Sequence, residues 1–134
     1  MSNVTDCGVC FVSDDCFDPP EFSSRKNRRA RKEHRCCECG GIIKRGEVYE
    51  YVAGMWERAI DSFKTCLVCV EIRTSFSCNG RWLFHELYER MEEDVFPLMT
   101  TGCLEKLSTA AAKNFLVDRW NAWKFGRKMY EEEQ

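Results

Sequence analysis

The sequence predicts an α+β fold: a small zinc-stabilised core made of a knuckle, a β-hairpin and a helix, followed by two additional C-terminal helices. Three observations carry this reading. Two C-x-x-C pairs, Cys36/Cys39 and Cys66/Cys69, are separated by 26 residues. Between them, Val48-Tyr49-Glu50-Tyr51-Val52-Ala53 is rich in β-branched and aromatic residues, as strands are. After them, apolar positions recur at helical spacing in two blocks.

Each element has its own justification. Ile42-Ile43 and the stretch from Glu47 to Ala53 read as strands, with Lys44-Arg45-Gly46 as the turn between them and Gly54 closing the second. A further strand fits near Ser62-Phe63-Lys64. Thr65 is a candidate cap for a helix beginning at Cys66, with Asn79-Gly80 as its stop. A helix over 82–95 places Leu83, Leu87 and Met91 on one face, and Pro97 ends it. Ser108 is a candidate cap for the last and longest helix, in which Ala112, Leu116, Trp120 and Trp123 form a stripe that must pack on something, most simply the domain's own core.

Length and composition narrow the function classes. At 134 residues, 31% charged and 44% hydrophobic, the chain suits one globular domain and excludes a large multidomain enzyme. The 20 Lys and Arg against 22 Asp and Glu leave a net charge of -2, so any attraction to nucleic acid must be local. No apolar run is long enough for a membrane-spanning helix. The opening residues lack the basic and apolar regions of a signal peptide, so the expected compartment is the cytoplasm. Ten cysteines in that compartment point to reduced thiols and metal rather than a disulfide scaffold.

Zn²⁺ takes four ligands in a tetrahedron, and two cysteines with two residues between them span one of its edges. Cys36, Cys39, Cys66 and Cys69 are therefore the candidate metal ligands, with Gly40-Gly41 allowing the tight knuckle turn. Four thiolates close the coordination shell, so the expected zinc is structural. A second metal site is also a candidate. Cys7, Cys10 and Cys16 offer three ligands, and the fourth is open among Cys37, His34, Cys78 and Cys103; Cys78 and Cys103 otherwise read as small core residues.

Charge falls in blocks. Residues 1–24 carry Asp6, Asp14, Asp15, Asp18 and Glu21 and no base, whereas Arg25, Lys26, Arg28, Arg29, Arg31, Lys32 and Arg35 crowd the next eleven positions. Residues 1–35 thus read as an acidic and then basic segment, packed on or tethered to a core spanning 36–134, within one domain overall. The basic stretch is a candidate phosphate-binding site. Its bland alternatives are pairing with the acids next door or a solvated charged face.

Knuckle, hairpin and a helix carrying the last two ligands in its first turn together resemble the treble-clef zinc fingers. The string from His34-Arg35-Cys36-Cys37-Glu38-Cys39-Gly40-Gly41 through Gly46-Glu47-Val48-Tyr49-Glu50 and Phe63-Lys64-Thr65-Cys66 resembles small zinc-finger proteins encoded by bacteriophages and prophages. That resemblance implies a phage or prophage origin and a metal, and no mechanism.

Enzyme chemistry is not expected. The chain has two histidines, His34 and His85, no Gly-rich phosphate loop and no His-Asn-His pattern of the kind seen in treble-clef nucleases. The first functional expectation is a non-catalytic zinc-binding interaction protein, phage-encoded, that docks on a host protein or complex as an inhibitor of host machinery or defence, using aromatics such as Trp56 or Trp82. The alternative is DNA or RNA binding through residues 25–35. A metal-dependent nuclease using His34 or His85 is a distant third. No membrane and no small-molecule substrate is expected.

Overall fold

The computed structural model of the chain describes residues 7–12, 22–78 and 82–132. Its centre is a three-stranded antiparallel sheet in the order β1 (Phe22–Arg29), β4 (Val48–Trp56), β5 (Ala59–Cys66). A two-stranded ribbon, β2 (His34–Arg35) with β3 (Ile42–Ile43), stands beside it and frames the knuckle. Helix α1 (Leu67–Phe76) follows β5 directly.

β4 and β5 pair from Tyr49↔Cys66 to Trp56↔Ala59, and the hairpin turns on Glu57 and Arg58, both at positive φ. That is the left-handed pair a two-residue hairpin loop needs. Gly54 therefore does not close the strand as expected: it pairs with Ser23 on one side and Asp61 on the other, mid-strand. Thr65 is likewise not a helix cap. It is fully buried at the penultimate position of β5, and Cys66 takes the cap position without any side-chain cap bond.

The basic stretch is the main surprise of the architecture. Residues Phe22 to Arg29 form β1, bonded to β4 along their whole length in the register Arg25↔Val52, Lys26↔Tyr51 and Arg28↔Tyr49. The first part of the basic stretch, Arg25 to Arg29, thus belongs to the sheet. The acids of segment 1–24, along with Cys16 and the Asn79-Gly80 stop, lie outside the described residues.

Beyond α1 the expected helix over 82–95 starts late. Its regular turn is α2 (Leu87–Arg90), continued by wider turns at Met91–Val95 and a tight turn at Phe96–Leu98. Pro97 accounts for the irregularity, since its ring crowds the carbonyl four residues back and it has no N–H to donate. A short 3₁₀ helix, Thr101–Lys106, leads to α3 (Ala110–Glu132). Thr109, not Ser108, caps α3: its Oγ1 accepts from the Ala112 N–H at 3.2 Å.

Glu71 of α1 fixes the start of α3. Its carboxylate accepts from the N–H and hydroxyl of both Ser108 and Thr109, at 2.6 Å for the Thr109 hydroxyl. Burial pushes this carboxyl up, but those hydrogen bonds outweigh it and hold it below the ordinary carboxylate range.

The core lies on both sides of α1, which packs against β4 and β5 on one side and α3 on the other. Ile72, Phe76, Met91, Val95, Leu107, Ala112 and Leu116 are sealed there, and Trp120 donates its indole N–H to the Phe96 carbonyl at 3.3 Å. The Ala112, Leu116, Trp120 stripe thus packs inward, with Trp123 half-buried beside Phe96.

Candidate metal centre and basic face

The sulfurs of Cys36, Cys39, Cys66 and Cys69 all lie within 4.8 Å of one another. A tetrahedral ion with Zn–S near 2.3 Å sets its sulfurs about 3.8 Å apart; Cys39 Sγ and Cys66 Sγ are 4.0 Å apart. This four-cysteine group can hold one metal ion such as zinc, between the two-stranded ribbon and the start of α1.

Local backbone explains how the sequence builds it. Gly40 takes φ +73°, which a side chain resists, and its N–H returns to the Cys36 carbonyl at 3.0 Å to close the knuckle. Gly41 is needed for space: a Cβ there would meet Cys39 Sγ at 3.3 Å. The N–H groups of Glu38 and Cys66 point at Cys36 Sγ, and that of Gly41 at Cys39 Sγ, each at 3.4 Å. Such donors favour thiolate.

Crowding couples the four thiols. Hydrogen bonds from Cys39, Cys66 and Cys69 pull Cys36 far down, and the same sharing pushes Cys66 and Cys69 up. A divalent cation at the centre would let all four ionise together.

Four supporting residues had no signal in the linear sequence. The Tyr88 hydroxyl, buried on α2, lies 2.9 Å from Cys69 Sγ. Glu38, inside the knuckle, accepts from the His85 and Leu87 N–H groups at 3.2 and 3.1 Å and ties the chain before α2 to the metal loop. Beneath the sheet, Arg73 Nη2 of α1 bonds both oxygens of Glu50 on β4 at 2.8 and 2.9 Å, and its guanidinium lies 3.9 Å from the Trp82 ring. Both charges are sealed, Arg73 at 1% and Glu50 at 4% exposure, so each depends on the other.

Of the cysteines expected for a second site, Cys16 lies outside the described residues, and Cys37 does not join Cys7 and Cys10. Cys7 is bridged to Cys103 and Cys10 to Cys78. The arm 7–12 runs past the end of α1, where Phe11 is buried and its N–H and carbonyl bond Phe76 and Cys78, so its sulfurs meet those partners. Cys37 faces Thr65 Oγ1 at 3.4 Å, and burial pushes its thiol up to about 12, which keeps it protonated. Cys78 and Cys103 are therefore bridge partners, not free core thiols.

Strand alternation sorts the basic residues. On one face of the sheet, Arg25, Glu50, Val52, Phe63 and Thr65 meet α1 and the rings of Trp82 and Phe84. The other face carries Lys26 and Arg28 on β1, Tyr49 and Tyr51 on β4, and Lys64 on β5. That second face lines a groove of about 1380 Å³, whose rim adds Arg29, Arg31, Lys32, His34 and Arg45.

Seven cations line the groove and no carboxylate does. Among the described residues, none of the seven forms an ion pair. The Tyr51 ring holds the Arg28 guanidinium at 3.9 Å, with the Lys64 ammonium 5.8 Å from the same ring. His34, 5.3 Å from Tyr49, is held below the usual histidine range by burial and then by the charges of Lys64 and Lys32.

Five of the seven predicted bases line this groove. Arg25 points to the opposite face, towards Trp82, and Arg35 donates to the Gly40 carbonyl at 2.9 Å. Arg45 and Lys64 complete the groove and come from outside the basic run. The two histidines serve different places: His85, at φ +76°, sits with its Nδ1 3.1 Å from the Cys37 carbonyl, whereas His34 stands beside Tyr49. Trp56 and Trp82 are half-buried in a ring cluster with Phe63 and Phe84.

Comparison with protein-family models, curated proteins and solved structures finds no match for this chain. Among the described residues, no helix is long and apolar enough to cross a membrane.

Proposed function

We propose that this protein is a non-catalytic zinc-binding protein that binds nucleic acid through the open basic face of its sheet. One observation carries the reading: a groove lined by seven cations and no carboxylate, on a chain whose net charge is -2. Positive charge is segregated there against the average, at a cost in self-repulsion that a polyanion relieves. Basic residues on an edge strand also deter strand-on-strand aggregation. That accounts for the bases of β1 and for Lys64 on the other edge strand, β5, and not for Arg31, Lys32 or Arg45, which line the same groove from outside the sheet.

The rest of the architecture supports the same role. Tyr51 fixes the Arg28 guanidinium by its face, which leaves the edge donors for phosphate oxygens. The core, read more finely, is a treble clef: knuckle 36–39, hairpin β4–β5, and α1 carrying Cys69. Its zinc is structural, because four thiolates leave no position for water or substrate. It holds β5, and with it Lys64, in register with the basic strand.

This reverses the order that the sequence alone suggests. Docking on a host protein drew on Trp56 and Trp82, whose rings are occupied within the molecule. The phage origin rests on the resemblance given above.

The test is binding of the zinc-loaded chain to generic DNA and RNA across a salt series, against the variant Lys26→Glu, Arg28→Glu, Lys64→Glu. Each phosphate contact contributes about 0.9 to the slope of log affinity on log salt for duplex DNA, so the variant should lose about 2–3 from that slope. No binding at low salt overturns the reading and leaves host-protein docking in its place.

A further inference from the structure

Four cysteines of the N-terminal arm and helical layer are unused by the metal centre. Cys7 lies against Cys103 with Cα atoms 5.1 Å apart, and Cys10 against Cys78 at 5.2 Å. Cys7 and Cys10 are the two ends of one C-x-x-C. Two distant parts of the chain therefore converge on a single short pair, Cys78 from just past α1 and Cys103 from the 3₁₀ helix. The first metal centre likewise joins a C-x-x-C to sulfurs from elsewhere in the chain, there a second C-x-x-C.

The surroundings suit an anionic centre. Lys106 Nζ donates to the carbonyl of Val9, inside the C-x-x-C, at 3.1 Å, which sets a positive charge beside it. Four thiolates around a divalent ion carry two net negative charges, which such a cation offsets. Thr100 Oγ1 lies 3.7 Å from Cys103 Sγ. The Phe11 N–H to Phe76 and the Cys78 N–H to Phe11, each 2.8 Å, hold the two segments in register. Apart from Phe11, the described arm buries no side chain fully, so it needs a staple of some kind.

Two oxidised bridges fit poorly beside a four-thiolate centre that works only with reduced sulfur. We propose that in the reduced protein Cys7, Cys10, Cys78 and Cys103 form a second zinc site, which staples the arm to the helical layer. Reduction of the two bridges takes two electrons and two protons each from a thiol or phosphine reductant, which is itself oxidised. Zn²⁺ then displaces the four thiol protons to solvent. The staple is kept while the cross-link changes from S–S bonds to metal–sulfur bonds.

The experiment uses the full chain, prepared with a non-chelating phosphine reductant and excess Zn²⁺ and then desalted. Elemental analysis should give two zinc ions per chain. Alkylation of the native protein followed by peptide mass mapping should find Cys7, Cys10, Cys78 and Cys103 protected together with the first four ligands. Cys78→Ser should lower the count to one and open Cys7, Cys10 and Cys103 to alkylation while Cys36, Cys39, Cys66 and Cys69 stay protected. That retained protection shows that the variant's core is folded. One zinc per chain in the wild type overturns the proposal, whether Cys7, Cys10, Cys78 and Cys103 are then alkylated or still bridged. A second zinc that survives Cys78→Ser with unchanged protection of the other three also overturns it.

Discussion

The two faces of one sheet are made from alternate residues of the same strands, yet they differ in almost every physical respect. Inward, Glu50, Val52, Phe63 and Thr65 meet α1 and the aromatic cluster, and the one ion pair there is sealed from water. Outward, Lys26, Arg28, Tyr51 and Lys64 face a groove without a counter-ion among the described residues. A shift of one residue in register would exchange the two sets. The inward set therefore reports on stability and the outward set on recognition, and the two can be changed separately.

The largest expected effect strikes both faces at once. Stripping the metal with a chelator, or Cys66→Ser, removes the centre that joins β5 to the knuckle, and cooperative unfolding in circular dichroism or calorimetry should be lost. Retained cooperative melting without metal would mean that packing alone holds the sheet. Next comes a change confined to the inward face. Arg73→Ala leaves the Glu50 carboxylate buried and unpartnered, and should cost about 3–5 kcal/mol in denaturant melts. If the variant stays folded, the salt slope of nucleic-acid binding should not move, since Arg73 does not reach the groove.

A smaller effect lies farther out, where α1 fixes α3. Glu71→Gln weakens the acceptor for Ser108 and Thr109 and should cost roughly 1 kcal/mol, as loss of a helix cap does. The folded Glu71 carboxyl titrates below its ordinary range, so its contribution is complete above that range and lost as pH falls through the folded value. The difference between wild type and Glu71→Gln should therefore shrink as pH falls into that region, as pH-resolved melts would show. Smallest is Gly41→Ala, whose Cβ presses on Cys39 Sγ; competition with a colorimetric chelator should show metal release at lower chelator concentration.

The sequence made some of this legible and hid the rest for physical reasons. Cys36, Cys39, Cys66 and Cys69 declared themselves because ligand geometry fixes their local spacing. The stripe of Ala112, Leu116 and Trp120 was visible because helical period alone decides which side chains are buried. β1 was not visible. Ser23 to Arg29 has no apolar alternation, because both its faces carry exposed side chains, and only pairing with β4 makes it a strand. The partners of Glu50, Cys69, Cys7 and Cys10 lie 23, 19, 96 and 68 residues away, where no local pattern points. The local preference of Thr65 is for a helix start, and tertiary context places it at a buried strand end instead.

The most direct test of the outward face compares Arg28→Glu with Arg25→Glu, identical changes of charge on the same strand but on opposite faces. Binding to generic RNA and DNA is measured across a salt series that passes through physiological salt, where screening over about 8 Å confines each charge to its own surroundings. Arg28→Glu should weaken binding and lower the salt slope by about 1, while Arg25→Glu leaves both near wild type. Equal losses in the two variants would contradict the account, because net charge and not the groove would then be what binds.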